Sequence, residues 1–216
     1  MSQSTFTILL GGELRLTERL RATVSGSRLV AADGGMRHAA ALGVVPELWV
    51  GDFDSTPDDL ATAFSGVPRQ PYPAAKAETD GEIAVSEAIA RGAKRLILVG
   101  ALAGERSDHA LQHLLYAVSL AETGLDVLLT SGSEEAVPLI PGTITLDLPE
   151  NSLFSVPAFS DLKGLTIENA RYPLTNFHLP FGSSRTISNV AEGPVRFSLE
   201  SGRAVVLARP YDLSGV

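Results

Sequence analysis

Acidic side chains recur where apolar segments end in the first half of this sequence. Gathered at one edge of a folded domain, such carboxylates would repel one another unless a cation lay among them. Oxygen ligands without cysteine favour a hard ion, and Mg²⁺ is the usual partner of nucleotide phosphates. The pattern therefore predicts magnesium and phosphate chemistry. The residues concerned are Asp33, Asp52, Asp54, Asp80 and Asp108.

Each of these motifs also has a plain structural interpretation. Asp33-Gly34-Gly35 suits a tight turn, because Asp and Gly both favour turns. Glu78-Thr79-Asp80 could cap the N-terminus of a helix. Gly51-Asp-Phe-Asp-Ser55 is less easily explained by folding alone, since its two carboxylates flank a large apolar side chain directly after an apolar segment.

A glycine-bearing stretch, Gly100 to His109, could hold phosphate through backbone amides at a helix start. It lacks the Gly-Lys-Ser/Thr ending of a Walker A loop and the three-glycine dinucleotide fingerprint. Arg106 could bind a phosphate through two hydrogen bonds. Trp49 and the histidines at 38, 113 and 178 are interpreted as packing or surface residues.

Strand-like and helix-like segments alternate through the first 130 or so residues. The apolar segments 6–10, 28–32, 47–50, 95–99 and 126–130 are predicted as buried strands, and 14–23, 36–42, 82–91 and 108–123 as helices. Near-continuous apolar strands between helices indicate a parallel sheet with helices on both faces. We predict a Rossmann-like α/β domain over residues 1–132, with ligands beyond the carboxyl ends of its strands.

The pattern changes after Gly132. Short strand candidates at 143–148, 153–159, 165–168, 185–190, 195–199 and 203–208 alternate with turn-forming residues. Frequent turns without a helix predict a small all-β domain, a sandwich or a barrel. The predicted β-sandwich covers residues 140–216, and the boundary is expected within 131–141.

Composition limits the class of protein. The formal net charge is -8, which argues against binding of nucleic acid, because that depends on Lys and Arg neutralising phosphates. The absence of cysteine excludes disulfides and thiolate chemistry. The first residues have no basic segment, and no apolar stretch approaches the roughly 20 residues of a membrane helix. A cytoplasmic location without membrane association is expected.

The order of these motifs is more specific than any one of them. Asp33-Gly-Gly, Gly51-Asp-Phe-Asp-Ser, Lys76-x-x-Thr-Asp80 and Arg106-x-Asp-His109 together closely resemble thiamine pyrophosphokinases, and Phe181-Gly-x-x-Arg-Thr-Ile-Ser-Asn189 continues the likeness. The resemblance covers nearly the whole chain. Two departures are visible: Ala77 replaces an acidic residue that is frequent in the family, and Glu105 lengthens the loop before Arg106.

The resemblance implies that the diphosphate of ATP is transferred to the hydroxyl of thiamine, giving thiamine diphosphate and AMP. Asp52, Asp54 and Asp80 are then expected to bind Mg²⁺, with Asp33 as a further ligand or beside the ligands. Further expectations concern phosphate. Arg106 and Lys76 would bind its oxygens, Gly34 and Thr79 would lie beside the nucleotide, and Asp108 would orient Arg106 or join the acidic cluster.

The resemblance also implies a homodimer whose active site lies between the α/β domain of one subunit and the β domain of the other. Ser188 and Asn189 would line the thiamine pocket; without the resemblance, Ser-Asn is an ordinary turn.

Three other functions remain open at this stage. Asp52-Phe-Asp54-Ser-Thr56 also satisfies the Asp-x-Asp-x-Thr pattern of haloacid-dehalogenase-type phosphatases, although a strand, a helix and another strand precede it here. A non-catalytic nucleotide sensor could use the same cleft. A related diphosphokinase could act on another alcohol, such as a hydroxymethylpterin.

Overall fold

The computed structural model describes residues 4–54, 56–73, 77–102, 104 and 106–214. The chain divides into two compact units. Unit 1 consists of Met1–Leu111 and Gly124–Gly132, and unit 2 consists of Gln112–Thr123 and Ser133–Val216.

Unit 1 contains a parallel sheet in the order β4-β3-β2-β1-β5-β6. Its central strands are apolar and almost fully buried, as expected for parallel strands that are covered on their faces. Chain order runs outward in opposite directions from β1 and β5, so the order reverses between these neighbours. The strands are β1 (Thr5–Leu9), β2 (Arg28–Ala32), β3 (Leu48–Gly51), β4 (Arg69–Pro71), β5 (Arg95–Val99) and β6 (Asp126–Thr130).

Local signals define the helix ends. Thr17 caps α1 by accepting a hydrogen bond from the Leu20 amide, and Gly43 ends α2 in the left-handed conformation. Helix α4 packs against β1, β2 and β3. The helices are α1 (Glu18–Val24), α2 (Arg37–Leu42), α3 (Asp58–Ala63), α4 (Asp80–Ala90) and α5 (Ser107–Glu122).

Unit 2 contains antiparallel strands in the order β11-β10-β12-β9-β13-β7, with β8 paired to β12. Its core includes Phe154 and Phe197, whose rings meet edge to face with centroids 5.4 Å apart. The strands are β7 (Glu135–Leu139), β8 (Gly142–Leu146), β9 (Leu153–Ser155), β10 (Leu162–Ala170), β11 (Leu174–Leu179), β12 (Asn189–Leu199) and β13 (Ala204–Arg209).

The prediction of a mixed chain with a parallel α/β part is confirmed, but several elements differ from the sequence pattern. The sequence did not predict α3, β4 or β11, because these segments are short and largely exposed. Helix α1 begins at Glu18 rather than at residue 14. Strand β7 pairs with β13 within the segment where only a boundary was expected.

The largest difference concerns β12. The sequence indicated strands at 185–190 and 195–199 separated by a turn, whereas β12 runs unbroken from Asn189 to Leu199 and residues 185–188 lie outside it. The pairing with β10 is irregular at this point, because Glu168 pairs with Arg196 and Ala170 with Ala191, so β12 carries extra residues that include its Gly-Pro. Asn169, in the left-handed conformation there, donates a side-chain hydrogen bond to the Pro194 carbonyl, 3.0 Å away.

Close packing at Gly35 yields a stability prediction. A Cβ atom on Gly35 would lie 2.1 Å from the Leu9 carbonyl oxygen, whereas one on Gly34 would meet nothing nearer than the Arg37 side chain at 3.7 Å. Gly35→Ala should therefore lower the free energy of unfolding by about 1–3 kcal/mol. Gly34→Ala, the matched control, should change it by roughly 0.5 kcal/mol or less. Urea unfolding of both variants tests this, and equal effects would contradict the described approach of the two backbones.

Candidate active site

The Asp33 loop, residues 33–36, follows β2 as a single turn of 3-10 helix. Asp33 has a positive φ of 41°, which is uncommon for a residue with a side chain. Its carbonyl accepts a hydrogen bond of 2.9 Å from the indole nitrogen of Trp49 on β3. The backbone of Gly51 passes so close that a Cβ there would lie 3.2 Å from the Cα of Asp33. Residues at the end of β3 therefore restrain the backbone of Asp33 just after β2.

The Asp52 loop, residues 52–54, follows β3. The Asp52 carboxylate accepts a hydrogen bond of 3.2 Å from the Asp54 amide, which closes a short turn. Phe53 between them has a φ of 61°, and its ring lies against that of Trp49. Asp54 is exposed and Asp52 is half-buried. Ser55, the last residue of this motif, lies outside the described residues.

The predicted metal-binding carboxylates influence one another. Burial raises the pKa of Asp33 above its ordinary value, and the Gly34 amide partly offsets this rise. The negative charges of Asp80, Asp52 and Asp54 raise this pKa further. The ends of β2 and β3 and the start of α4 thus place these carboxylates within electrostatic range of Asp33.

The carboxylates do not form a closed set of ligands. Within the described ranges, no group of three or more Asp, Glu or His side chains is gathered closely enough to hold a metal ion. The chemistry of the donors nevertheless suits a hard cation, because they are carboxylate oxygens whose charges add to the effect of burial in raising the pKa of Asp33.

Thr79 and Asp80 lie at the start of α4. The Thr79 hydroxyl accepts a hydrogen bond from the Glu82 amide at 3.2 Å, and the Glu82 carboxylate accepts one from the Thr79 amide at 2.8 Å. This capping box corresponds to the plain structural interpretation of Thr79. It also fixes the position of Asp80 in the first turn. Lys76 lies outside the described residues, so the structure does not place this phosphate-binding candidate.

Arg106 and Asp108 pair with each other at the start of α5. The Asp108 carboxylate accepts two hydrogen bonds from the Arg106 guanidinium, 2.9 Å from Nε and 2.7 Å from Nη2. These bonds hold the pKa of Asp108 well below its ordinary range. Of the two roles considered for Asp108, this geometry favours orienting Arg106. Glu105, the extra residue of this loop, lies outside the described residues.

A further loop at the switch between β1 and β5 was not predicted as part of the site. The Gly12 amide donates a hydrogen bond of 3.1 Å to the Gly100 carbonyl beyond β5. From α2, His38 bonds the Gly12 carbonyl at 2.8 Å, and Arg37 donates to the carbonyls of Gly11 and Gly12. In the sequence, the Gly-Gly pair after a predicted strand was the only indication of this loop. The side chains that bond the loop come from α2, which is distant in sequence.

His38 must carry its proton on Nε2, because a carbonyl oxygen can only accept. Burial lowers the pKa of His38, the carbonyls of Gly12 and Leu10 oppose this, and the charge of Arg37 adds to the lowering. The sequence interpretation of His38 as a packing residue therefore misses its polar contact with the loop.

Ser188 and Asn189, the candidates for thiamine binding, lie in unit 2 at the start of β12. Ser188 is exposed, has a positive φ of 59°, and donates its amide to the Ser155 hydroxyl at 3.0 Å. Asn189 is buried. Its side-chain oxygen accepts from the amides of Tyr172 and Val190, and its side-chain nitrogen donates to the Tyr172 carbonyl. The Asn189 amide thus shapes the backbone beside Ser188.

Within the described part of the chain, no helix is both long enough and apolar enough to cross a membrane.

Comparison with known families gives matches to two parts of the chain. Residues 22–129 match the model described as "Thiamin pyrophosphokinase, catalytic domain". Residues 143–203 match "Thiamin pyrophosphokinase, vitamin B1 binding domain". The chain belongs to the thiamin pyrophosphokinase family. The resemblance inferred from the sequence motifs is therefore confirmed.

Individual thiamin pyrophosphokinases resemble this chain along most of its length. A thiamine pyrophosphokinase of Bacillus subtilis is 27% identical over 190 residues, which are 86% of this chain and 88% of that protein. A crystal structure from Geobacillus thermodenitrificans has a TM-score of 0.80 at 27% identity, covering 96% of this chain and 98% of that one. One from Bacillus subtilis has a TM-score of 0.83 at 23% identity, covering 95% and 98%. The fold thus agrees with that of known thiamin pyrophosphokinases.

The contact of His38 with the Gly11–Gly12 loop predicts a pH effect on this thiamin pyrophosphokinase. Because the pKa of His38 is lowered in the folded state, the unfolded chain takes up a proton at a higher pH. Stability should therefore fall as the pH drops below about 6.5, the ordinary pKa of histidine. His38→Gln keeps an N–H donor but does not titrate. Its free energy of unfolding should fall less than that of the wild type between about pH 7.5 and 5.5.

The measurement is urea unfolding at both pH values. His178→Gln, at an exposed position on β11, serves as the control and should behave as the wild type does. An equal loss of stability in His38→Gln and the wild type would show that His38 does not contribute.

Proposed function

We propose that this chain is a Mg²⁺-dependent thiamine pyrophosphokinase that transfers the β,γ-diphosphate of ATP to the hydroxyl of thiamine. The products are thiamine diphosphate and AMP. The observation that carries this proposal is the match of a catalytic model and a vitamin B1 binding model, in that order, along one chain. The thiamine hydroxyl attacks the β-phosphorus, and AMP leaves as the P–O bond to the α-phosphate breaks.

Each of the two predicted domains is assigned one role in the reaction. Residues 1–132 are a Rossmann-like catalytic domain with helices on both faces of its sheet, and residues 140–216 are a β-sandwich that binds thiamine. The reversal of strand order between β1 and β5 supports the first assignment, because open α/β sheets bind ligands at such a switch point. The antiparallel pairing of β12 with β8 and with β10 is consistent with the second.

Mg²⁺ is the cation that this acidic cluster would hold. Asp52, Asp54 and Asp80 are the proposed ligands, with Asp33 as a further ligand or beside them. Support comes from the preference of Mg²⁺ for carboxylate oxygens and phosphates, and from the charges of Asp80, Asp52 and Asp54, which add to the effect of burial in raising the pKa of Asp33. When bound, the ion neutralises charge on the phosphates of ATP.

Residues of the chain position the phosphates, because positioning and charge stabilisation dominate catalysis of phosphoryl transfer. Arg106, with its guanidinium oriented by Asp108, and Lys76 bind phosphate oxygens. Gly34 and Thr79 lie beside the nucleotide at the starts of the Asp33 loop and of α4. No residue is assigned as the general base.

The thiamine pocket is proposed to include Ser188 and Asn189, and the Asn189 side chain also bonds the backbone of Tyr172 and Val190. The enzyme acts as a homodimer in which residues 1–132 of one subunit and Ser188 of the partner form one site. This arrangement rests on the family resemblance. It also suits a cationic aromatic substrate, which needs apolar walls beyond the acidic loops. A cytoplasmic location remains a prediction from the sequence.

The other functions considered are less well supported. Neither the family matches nor the relatives point to a hydroxymethylpterin diphosphokinase, a nucleotide sensor or a haloacid-dehalogenase-type phosphatase. In the last case Asp52 would be a nucleophile, and a phospho-aspartyl enzyme would accumulate with simple phosphomonoesters.

Product analysis tests the reaction directly. Purified protein with Mg²⁺, ATP and thiamine should yield AMP and thiamine diphosphate in equal amounts by chromatography, because both outer phosphates move together. EDTA should abolish turnover and excess Mg²⁺ should restore it. Formation of ADP and thiamine monophosphate would instead mean transfer of a single phosphoryl group. The same assay with a hydroxymethylpterin in place of thiamine tests the alternative diphosphokinase.

Mixed dimers test whether the site is shared. Asp52→Asn should lower kcat at least about a hundredfold, as expected when a charge contact to a transition state is lost, while Asp58→Asn on α3 is the matched control. Ser188→Lys should exclude the cationic thiazolium, because it adds bulk and positive charge at an exposed position. A mixture of the two inactive chains should regain part of the activity, since one site per mixed dimer carries neither change. Differently tagged chains establish that subunits exchange, and an exchanged mixture without recovered activity would contradict a shared site.

A further inference from the structure

We propose that Trp49 is a positioning residue that couples the Asp33 loop to the Asp52 loop, so that their carboxylates face one ligand together. This inference rests on the proposed function, because it assumes that both loops serve the metal and nucleotide site. The sequence pattern indicated only a core position for Trp49. The structure agrees that the side chain is fully buried, but both its polar and its aromatic groups are used.

The first contact fixes the Asp33 loop. The indole N–H of Trp49 donates to the Asp33 carbonyl oxygen at 2.9 Å. The register of β2 and β3 pairs Ala31 with Trp49, so Asp33 lies two residues beyond that pair, just after the end of β2. The bond forms where the backbone of Asp33 takes its unusual left-handed conformation. Such a conformation persists only when surrounding contacts hold it.

The second contact fixes the Asp52 loop. The ring of Phe53 meets that of Trp49 edge to face, with centroids 5.2 Å apart and an angle of 84° between the planes. Phe53 also has a left-handed backbone. Because Asp52 and Asp54 flank Phe53, the ring contact restrains the loop that carries both carboxylates.

Arg69 on β4 completes the arrangement. Its guanidinium carbon lies 4.7 Å from the Trp49 ring centre and 5.6 Å from that of Phe53, within the range of a cation–π contact. The same guanidinium donates a hydrogen bond of 2.9 Å to the Ala61 carbonyl of α3. The two rings are therefore held from the side of β4 as well.

A residue that only filled the core would need the right volume and nothing more. Trp49 instead uses its N–H toward one loop and its ring toward the other. Replacing it should therefore weaken metal and nucleotide binding by more than the accompanying loss of stability explains. Loss of a group that orients metal-binding residues typically costs about 10- to 100-fold in affinity or activity.

The sequence contains one tryptophan, so its fluorescence reports on this place alone. Titration of the wild-type protein with MgCl₂, with and without ATP, should change the emission of Trp49, whereas NaCl at matched ionic strength should not. Phe53→Leu keeps the reporter but removes the ring contact, and should require at least about tenfold more Mg²⁺ for the same change. Phe53→Tyr keeps the ring and should restore the wild-type titration.

Trp49→Phe tests the N–H bond. Calorimetric titration with Mg²⁺ and ATP should show binding weakened at least about tenfold. kcat should fall, and KM for thiamine should stay within about twofold because unit 1 alone is altered. Phe64→Leu, at a buried position beyond α3, controls for a core change of similar size and should lower the melting temperature without altering the titration.

These results separate the inference from the function on which it rests. If Trp49→Phe and Phe53→Leu lose stability but bind Mg²⁺ and ATP within about twofold of the Phe64→Leu control, the coupling role is wrong. If the emission of Trp49 responds as expected but no thiamine diphosphate forms, the coupling stands and the proposed reaction fails.

Discussion

Repulsion among carboxylates is the constraint on which the rest of this site depends. Parallel strands end at one edge of their sheet, and here the ends of β2 and β3 and the start of α4 all carry aspartate. Burial is the main cause of the raised pKa of Asp33, and the negative charges of Asp80, Asp52 and Asp54 raise this pKa further. A fold that gathers like charges must hold them by other contacts, since the charges themselves favour separation.

The contacts that hold these aspartates are mainly neutral. The backbone of Asp33 is bonded by an indole N–H, the Asp52 loop turns on an aromatic contact, and Asp80 follows a capping box. Neutral contacts restrain the backbone without cancelling the negative charge that a cation would need. Arg106 and Asp108 differ, because their exposed ion pair satisfies both charges. That pair orients the Arg106 guanidinium, and it engages both oxygens of the Asp108 carboxylate.

A similar principle operates in unit 2. Asn189, which is proposed to line the thiamine pocket, uses its amide group to bond the backbone of Tyr172 and Val190. The residue beside it, Ser188, remains exposed in a left-handed conformation. The pair thus combines a buried amide that restrains the backbone with an exposed side chain beside it.

The sequence by itself determined the family, the α/β character of the first part and the places where the acidic residues fall. Apolar segments such as 28–32 and 95–99 are long and continuous enough to predict strands, and Asp33 and Asp52 follow such segments directly. The order of motifs then identified the family. These features are local in the chain, and local patterns can be read without knowing the fold.

Only the tertiary structure decided which groups hold those aspartates. The bond from Trp49 to Asp33, the contact of His38 with Gly12 and the closeness of Gly35 to Leu9 each join segments that are separate in sequence. Strand β12 likewise continues past its Gly-Pro, which forms an irregularity in the pairing with β10, whereas the sequence pattern alone indicated a turn there. Such contacts follow from how strands align side by side, which no local pattern of residues records.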